Sequence, residues 1–187
     1  DENLEISLTL NERKTHDRYM LIERIKDNTD HDLFEKDLLI NSYYSLYKNI
    51  TNSYLTHGRG YLLLLAFDDL DKIIANQGSE GVNFVLRAFF HELKIKLGTE
   101  EFYYYNPTTI GLLLHNKGHV DVLNICEKIY DVSKTHFFDD GSEDSLNITY
   151  LPLSWPSGYA NADDFLRRAQ DYLLNGNHPR GRLPFNK

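Results

Sequence analysis

Apolar positions along the chain fall into two periods, and the switch from one to the other marks out the elements. "LEISLTL" puts Leu4, Ile6, Leu8 and Leu10 on one face, the pattern of a half-buried strand. Asn11 is placed to cap a following helix, "ERKTHDRYMLIERIKD", whose apolar side is Tyr19, Met20, Ile22 and Ile25. A second helix is expected over about Phe34 to Leu55, stopped by the glycines of "THGRG". "YLLLLAF" is a continuous apolar run, as in a central strand buried on both faces. In "GVNFVLRAFFHELKIKL", Val82, Val85, Leu86, Phe89, Phe90, Leu93 and Leu97 follow helical spacing throughout. "FYYYNPTTIGLLL" reads as two strands, about Glu101–Tyr105 and Ile110–His115, reversing at Asn-Pro-Thr. "VDVLNICEKIYDVSK" is a further helix, and "SLNITYL" a strand with Leu146, Ile148 and Tyr150 on one side. "NADDFLRRAQDYLL" is a helix with Ala162, Phe165, Leu166, Ala169 and Leu173 inward, and Asn161 with Asp164 resembles a capping box.

From Tyr61 onward the order is βαββαβ, with a short extra helix in the first crossover. This is the α+β, split βαβ or ferredoxin-like arrangement, a central antiparallel sheet with helices packed around it. Right-handed crossovers place the first strand and the hairpin strands together at the sheet centre, helices on one side. Phe89, Leu93, Ile129 and Leu166 are the expected packing contacts.

Composition narrows the function classes. The 187 residues suit one domain with a short appended element, and net charge is −8, from 28 acidic against 20 basic residues. That balance opposes a phosphate-neutralising role, so no nucleic-acid partner is expected. Cys126 is the single cysteine, read as a small buried hydrophobe. No apolar run approaches the ~20 residues that span a bilayer, so no membrane contact is expected from this chain. It starts at Asp1 with its one methionine at Met20, so a fragment of a longer, cytoplasmic or membrane-anchored protein is expected. No P-loop, nucleophile elbow, HExxH or zinc-spaced cysteine pair occurs.

The remaining chemistry-bearing groups each have a bland and a sharp reading. Tyr103, Tyr104 and Tyr105 alternate between two packed faces, or stack on a purine. The acidic loop "FFDDGSEDS" is a solvated loop or a calcium site, though it lacks EF-hand spacing. His115 and His119 are surface residues or metal ligands wanting a third partner. Asp68, Asp69 and Asp71 form an acidic helix start or hold a divalent ion, and Arg180 with Arg182 is a surface pair or an anion site.

An apolar strand entering an Asp-containing turn, with a hairpin at the sheet centre, resembles the GGDEF domain of diguanylate cyclases. The resemblance covers about Phe34 to the C-terminus. It is most specific over "LLLLAFDDLDKIIANQGSEGVNFVLR", which lies without gaps over the family's strand, DxDxFKxIND turn, GHxxGD and VLR helix. "DDFLRRAQDYLL" is similar to the last long helix and "RGRLPF" to the Gly-Arg-Asn segment after it. It implies a nucleotide-cyclase palm over residues 31–187, preceded by an N-terminal strand and signalling helix over 1–30.

The polar signature departs from the family. "NPTTI" occupies the name motif: Asn106 and Pro107 stand at the glycines, Thr108 at a metal-binding carboxylate and Thr109 at the following glutamate. Cyclase chemistry joins two GTP molecules and needs carboxylates for magnesium and glycines for close approach. The strand's metal aspartate is matched by Ala66, while Asp68 keeps the lesser one. The guanine-reading asparagine is matched by Ile74 and its partner aspartate by Asn83. A phosphate lysine falls at or near Asn177, and Arg182 is kept. "LGTE" replaces the inhibitory RxxD motif, whose arginine grips cyclic-di-GMP.

The resemblance therefore implies a catalytically inactive regulatory domain of a cyclic-di-GMP signalling protein, with no cofactor. Its expected partner is a protein or an adjacent domain, an EAL-type phosphodiesterase among them, with homodimerisation through the N-terminal helix. The alternatives are a receptor for GTP or cyclic-di-GMP using non-standard residues, and a divergent active cyclase.

Overall fold

The structure, a computed structural model, describes residues 40–68, 70–98, 101–135, 146–156, 158 and 160–175. Its elements are α1 (Tyr43–Leu55), β1 (Gly60–Phe67), α2 (Leu70–Leu97), β2 (Phe102–Asn106), β3 (Thr109–His115), α3 (His119–Ser133), β4 (Ile148–Trp155) and α4 (Ala162–Asn175). The predicted strand and helix within residues 1–30, and the acidic loop before β4, lie outside the described residues. Among the described residues no helix is long and apolar enough to cross a membrane.

The four strands form one antiparallel sheet in the order β2-β3-β1-β4. This is the expected split βαβ topology, with one correction: β1 and β3 hold the centre, and β2 lies beyond β3 rather than against β1. The outer side of β2 is met by Asn41, whose N–H donates to the Phe102 carbonyl at 2.9 Å. Asn41's own carbonyl accepts from the Tyr104 N–H at 2.7 Å. That pairing breaks the helix expected over about Phe34 to Leu55. Residues 40–42 are not helical, and α1 begins after Ser42, whose side chain caps the Ser45 N–H.

Both faces of the sheet are covered, which corrects the expectation of helices on one side. The crossover helices α2 and α3 share one face, as right-handed connections require. There Leu63, Leu65, Phe67, Tyr104, Ile110 and Leu112 pack with Phe89, Leu93 and Ile129. The opposite face carries α1 and α4, where Leu62, Leu64, Leu113 and Leu153 pack with Leu46, Ile50, Phe165 and Leu166. Two covered faces explain why "YLLLLAF" shows no alternation: Leu62 to Leu65 are all fully buried. Each such leucine is worth about 1.5–3 kcal/mol of apolar transfer.

The three tyrosines follow from the same geometry. Tyr104 points to the α2–α3 face, and Tyr103 and Tyr105 to the α1–α4 face. The Tyr105 hydroxyl donates to the Leu166 carbonyl at 3.3 Å. Tyr103 donates to the Glu101 carboxylate and accepts from Asn49 Nδ2 at 2.8 Å. Burial raises the pKa of both hydroxyls, so they stay neutral and serve packing.

Local signals held well. Gly78, at φ 73° and ψ 173°, interrupts α2 and separates the short crossover helix from the long one. A side chain would have space there, so the left-handed φ is what calls for glycine. At α4, Asn161 Oδ1 accepts from the Asp164 N–H at 2.9 Å, while the Asp164 carboxylate reaches back to the Ala160 N–H at 3.4 Å.

Candidate functional site

The strand register brings six of the ten predicted positions to one end of the sheet. Ala66 pairs across the ladder with Thr109 on one side and Thr149 on the other. The β2–β3 turn is tight, with Pro107 and Thr108 at its exposed tip and Asn106 half-buried before it. Asn106 Oδ1 accepts from the Thr108 N–H at 3.0 Å and the Thr108 hydroxyl at 3.3 Å, an Asx-type closure. Thr109 is only 2% exposed and belongs to the ladder rather than to the surface.

The end of β1 is tied down from both sides. The Phe67 N–H donates to the Thr108 carbonyl at 2.9 Å, and the Asp68 N–H to the Asn147 carbonyl at 3.0 Å. Asp68 is exposed at the top of this end, and its carboxylate accepts the Thr149 hydroxyl at 2.8 Å. Thr149 and Asn147 were not singled out from the sequence. Nothing in "LNITYL" points to Asp68, because the partners are 81 positions apart for the Thr149 contact.

Ile74 is exposed on the short first segment of α2, and Asn83 is half-buried on the long segment beyond Gly78. Asn177 and Arg182 lie outside the described residues, as does Arg180. His115 sits at the opposite end of β3, its ring edge-on to Trp155 at 5.6 Å, with Ser53 Oγ 3.5 Å from its Nδ1. His119 opens α3 as an exposed residue. Among the described residues no group of three or more His, Cys, Asp or Glu side chains is placed to hold a metal ion. Burial pushes the Cys126 thiol up to about 12, so no thiolate nucleophile is available there near neutral pH.

Chemically, the hairpin end has few free donors. Pro107 has no N–H, and the N–H groups of Phe67, Asp68 and Thr108 are each already bonded within the protein. At the two positions where the resemblance calls for metal carboxylates, Ala66 offers a methyl group and Thr108 a hydroxyl.

No sequence-family model matches the chain, and no curated protein matches it either. Solved structures do. The GGDEF domain of YfiN (TpbB) from Pseudomonas aeruginosa superposes with a TM-score of 0.63 at 14% identity, over 74% of this chain and 85% of that one. The FimX GGDEF domain from the same organism gives 0.64 at 12% identity, over 74% and 90%. The coiled coil and GGDEF domain of DgcB from Caulobacter crescentus, solved in complex with c-di-GMP, gives 0.62 at 11% identity, over 89% and 95%. At these identities the likeness is one of fold, and the fold of this chain is that of the GGDEF domains of cyclic-di-GMP signalling proteins.

Proposed function

We propose that this chain is a catalytically inactive GGDEF-type regulatory domain, acting through contact with a protein partner or an adjacent domain in cyclic-di-GMP signalling. The observation that carries the reading is the hairpin end of the sheet. Ala66 and Thr108 stand in for the two strong carboxylates, and a neutral methyl and hydroxyl do not offset the charge of a magnesium triphosphate. The turn's backbone donors are spent internally or missing at Pro107, so little remains to hold phosphate oxygens. Asp68 is kept but bonded to Thr149. Exposed Ile74 and half-buried Asn83 replace the pair that would read guanine. An EAL-type domain, or a second copy paired through the helix expected from the sequence within residues 1–30, is the proposed contact.

The test is incubation of the purified chain with GTP and magnesium, with calorimetry against GTP and cyclic-di-GMP. Sedimentation with and without residues 1–28 runs alongside. No cyclic-di-GMP should form, and Ala66→Asp with Thr108→Glu should not restore it, because Ile74, Asn83 and Pro107 remain. Product that disappears in Asp68→Ala would overturn the reading in favour of a divergent cyclase. Micromolar nucleotide binding by a strict monomer would replace it with a receptor.

A further inference from the structure

The same register that gathers the hairpin end also gathers the opposite one. Gly60 pairs with His115 on one side and Trp155 on the other, so the residues flanking these three converge. Arg59 enters β1 there, and Asn116 and Lys117 leave β3. The Asn116 N–H donates to the Arg59 carbonyl at 2.9 Å and holds the two loops together. Between them lies a cleft of about 350 Å³, lined by Arg59, Tyr61, Asn116, Lys117, Ser154 and Trp155, with Gly60 and Gly118 backbone.

This lining is unusual for a chain of net charge −8. It holds two cationic side chains, an amide, a hydroxyl and two aromatic rings, and no carboxylate. Arg59 is exposed and pairs with no carboxylate among the described residues. The nearest acid in sequence to the lining residues, Asp121, accepts the Gly118 N–H at 2.8 Å and is not itself part of the lining. Trp155, only 2% exposed, forms part of the wall, and its indole N–H has no acceptor among the described residues.

We propose that this cleft is a binding site for a small phosphate-bearing ligand. The Arg59 guanidinium supplies a planar fork for two phosphate oxygens, and Lys117 a second positive charge. Ser154 and Asn116 supply neutral hydrogen bonds, and the cleft volume suits a ligand of metabolite size. The site is independent of the proposed function, because it uses none of the hairpin-end residues.

The test uses a reporter already in place, since Trp155 is the only tryptophan in the chain. The purified protein is titrated at low salt with inorganic pyrophosphate and, separately, with inorganic phosphate and 5′-GMP. Trp155 fluorescence and the indole N–H resonance are followed. A saturable change is expected, tighter for pyrophosphate than for phosphate. Response to 5′-GMP but not pyrophosphate would assign the site to a nucleoside phosphate. Arg59→Gln should weaken binding about tenfold or more, as loss of a charge-assisted contact does. Arg87→Gln, on α2, should leave it unchanged, and circular dichroism checks that each variant is folded. The proposal is overturned if no anion gives saturation, or if Arg59→Gln with Lys117→Gln responds like the parent protein.

Discussion

The two ends of the central ladder are built from the same strands and are opposite in character. At the hairpin end, small neutral residues, Ala66, Thr108 and Thr109, close over backbone hydrogen bonds, and the Asp68 carboxylate is bonded to Thr149. At the other end the chain is crowded and basic. A Cβ on Gly60 would stand 2.2 Å from the Leu114 carbonyl oxygen and 2.8 Å from the Trp155 ring, with Arg59 and Lys117 over the cleft beside it. The difference teaches that one ladder can carry side chains of opposite character at its two ends. Strand pairing needs backbone and packing, whereas a metal site needs particular side chains at particular registers.

The sharpest way to break the comparison is Gly60→Ala. Neither the backbone oxygen of Leu114 nor the packed indole can give way cheaply, so a loss of more than about 3 kcal/mol is expected in a urea melt. A loss below about 1 kcal/mol would mean the far end is looser than described. At the hairpin end, Thr149→Val removes the hydroxyl bonded to Asp68 and should cost about 1 kcal/mol or less, because water can replace it at an exposed carboxylate. Thr108→Glu, at the exposed tip, should change stability by no more than about 0.5 kcal/mol in the same assay. A larger loss would show that the tip is a structural clamp rather than a tolerant turn.

The smallest effect concerns Asp164, at the start of the helix that follows β4. The Arg167 guanidinium, bonded to its carboxylate at 2.7 Å, holds its pKa below the ordinary aspartate value. The folded pKa is the lower one, so the contribution is present above the unfolded aspartate pKa and is lost as pH falls through the folded one. Asp164→Asn should therefore lower the melting temperature slightly at neutral pH. The gap should close in acid, below the usual aspartate range.

Much of the fold was legible because its signals are local. Helical spacing from Val82 to Leu97 and the unbroken apolar run at β1 each name an element without reference to any other. The Asn161–Asp164 cap joins residues three positions apart, so it too could be read directly. The hairpin turn was placed correctly because proline at 107 suits a reversal. The end of α1 at Leu55 was also placed correctly, but its start was not, since Asn41 trades helical bonding for a bridge to Tyr103, which lies far along the chain.

The candidate site divides in the same way. Which residue types stand at Ala66, Thr108 and Asp68 is a matter of sequence, and so is the loss of carboxylates relative to the family it resembles. That Asp68 is held by Thr149, and that Arg59 and Lys117 flank one cleft, depends on strand order and register. A continuous apolar strand says that both faces are covered but not by which helices. Two crossover helices on one face leave the other to α1 and α4, and only the closed packing assigns them. The sequence by itself determined the order of strands and helices from β1 to α4 and which uncharged residues form the hairpin turn. Tertiary structure alone decided the neighbours, because hydrogen bonds and contacts between distant segments form only when every strand has found its register.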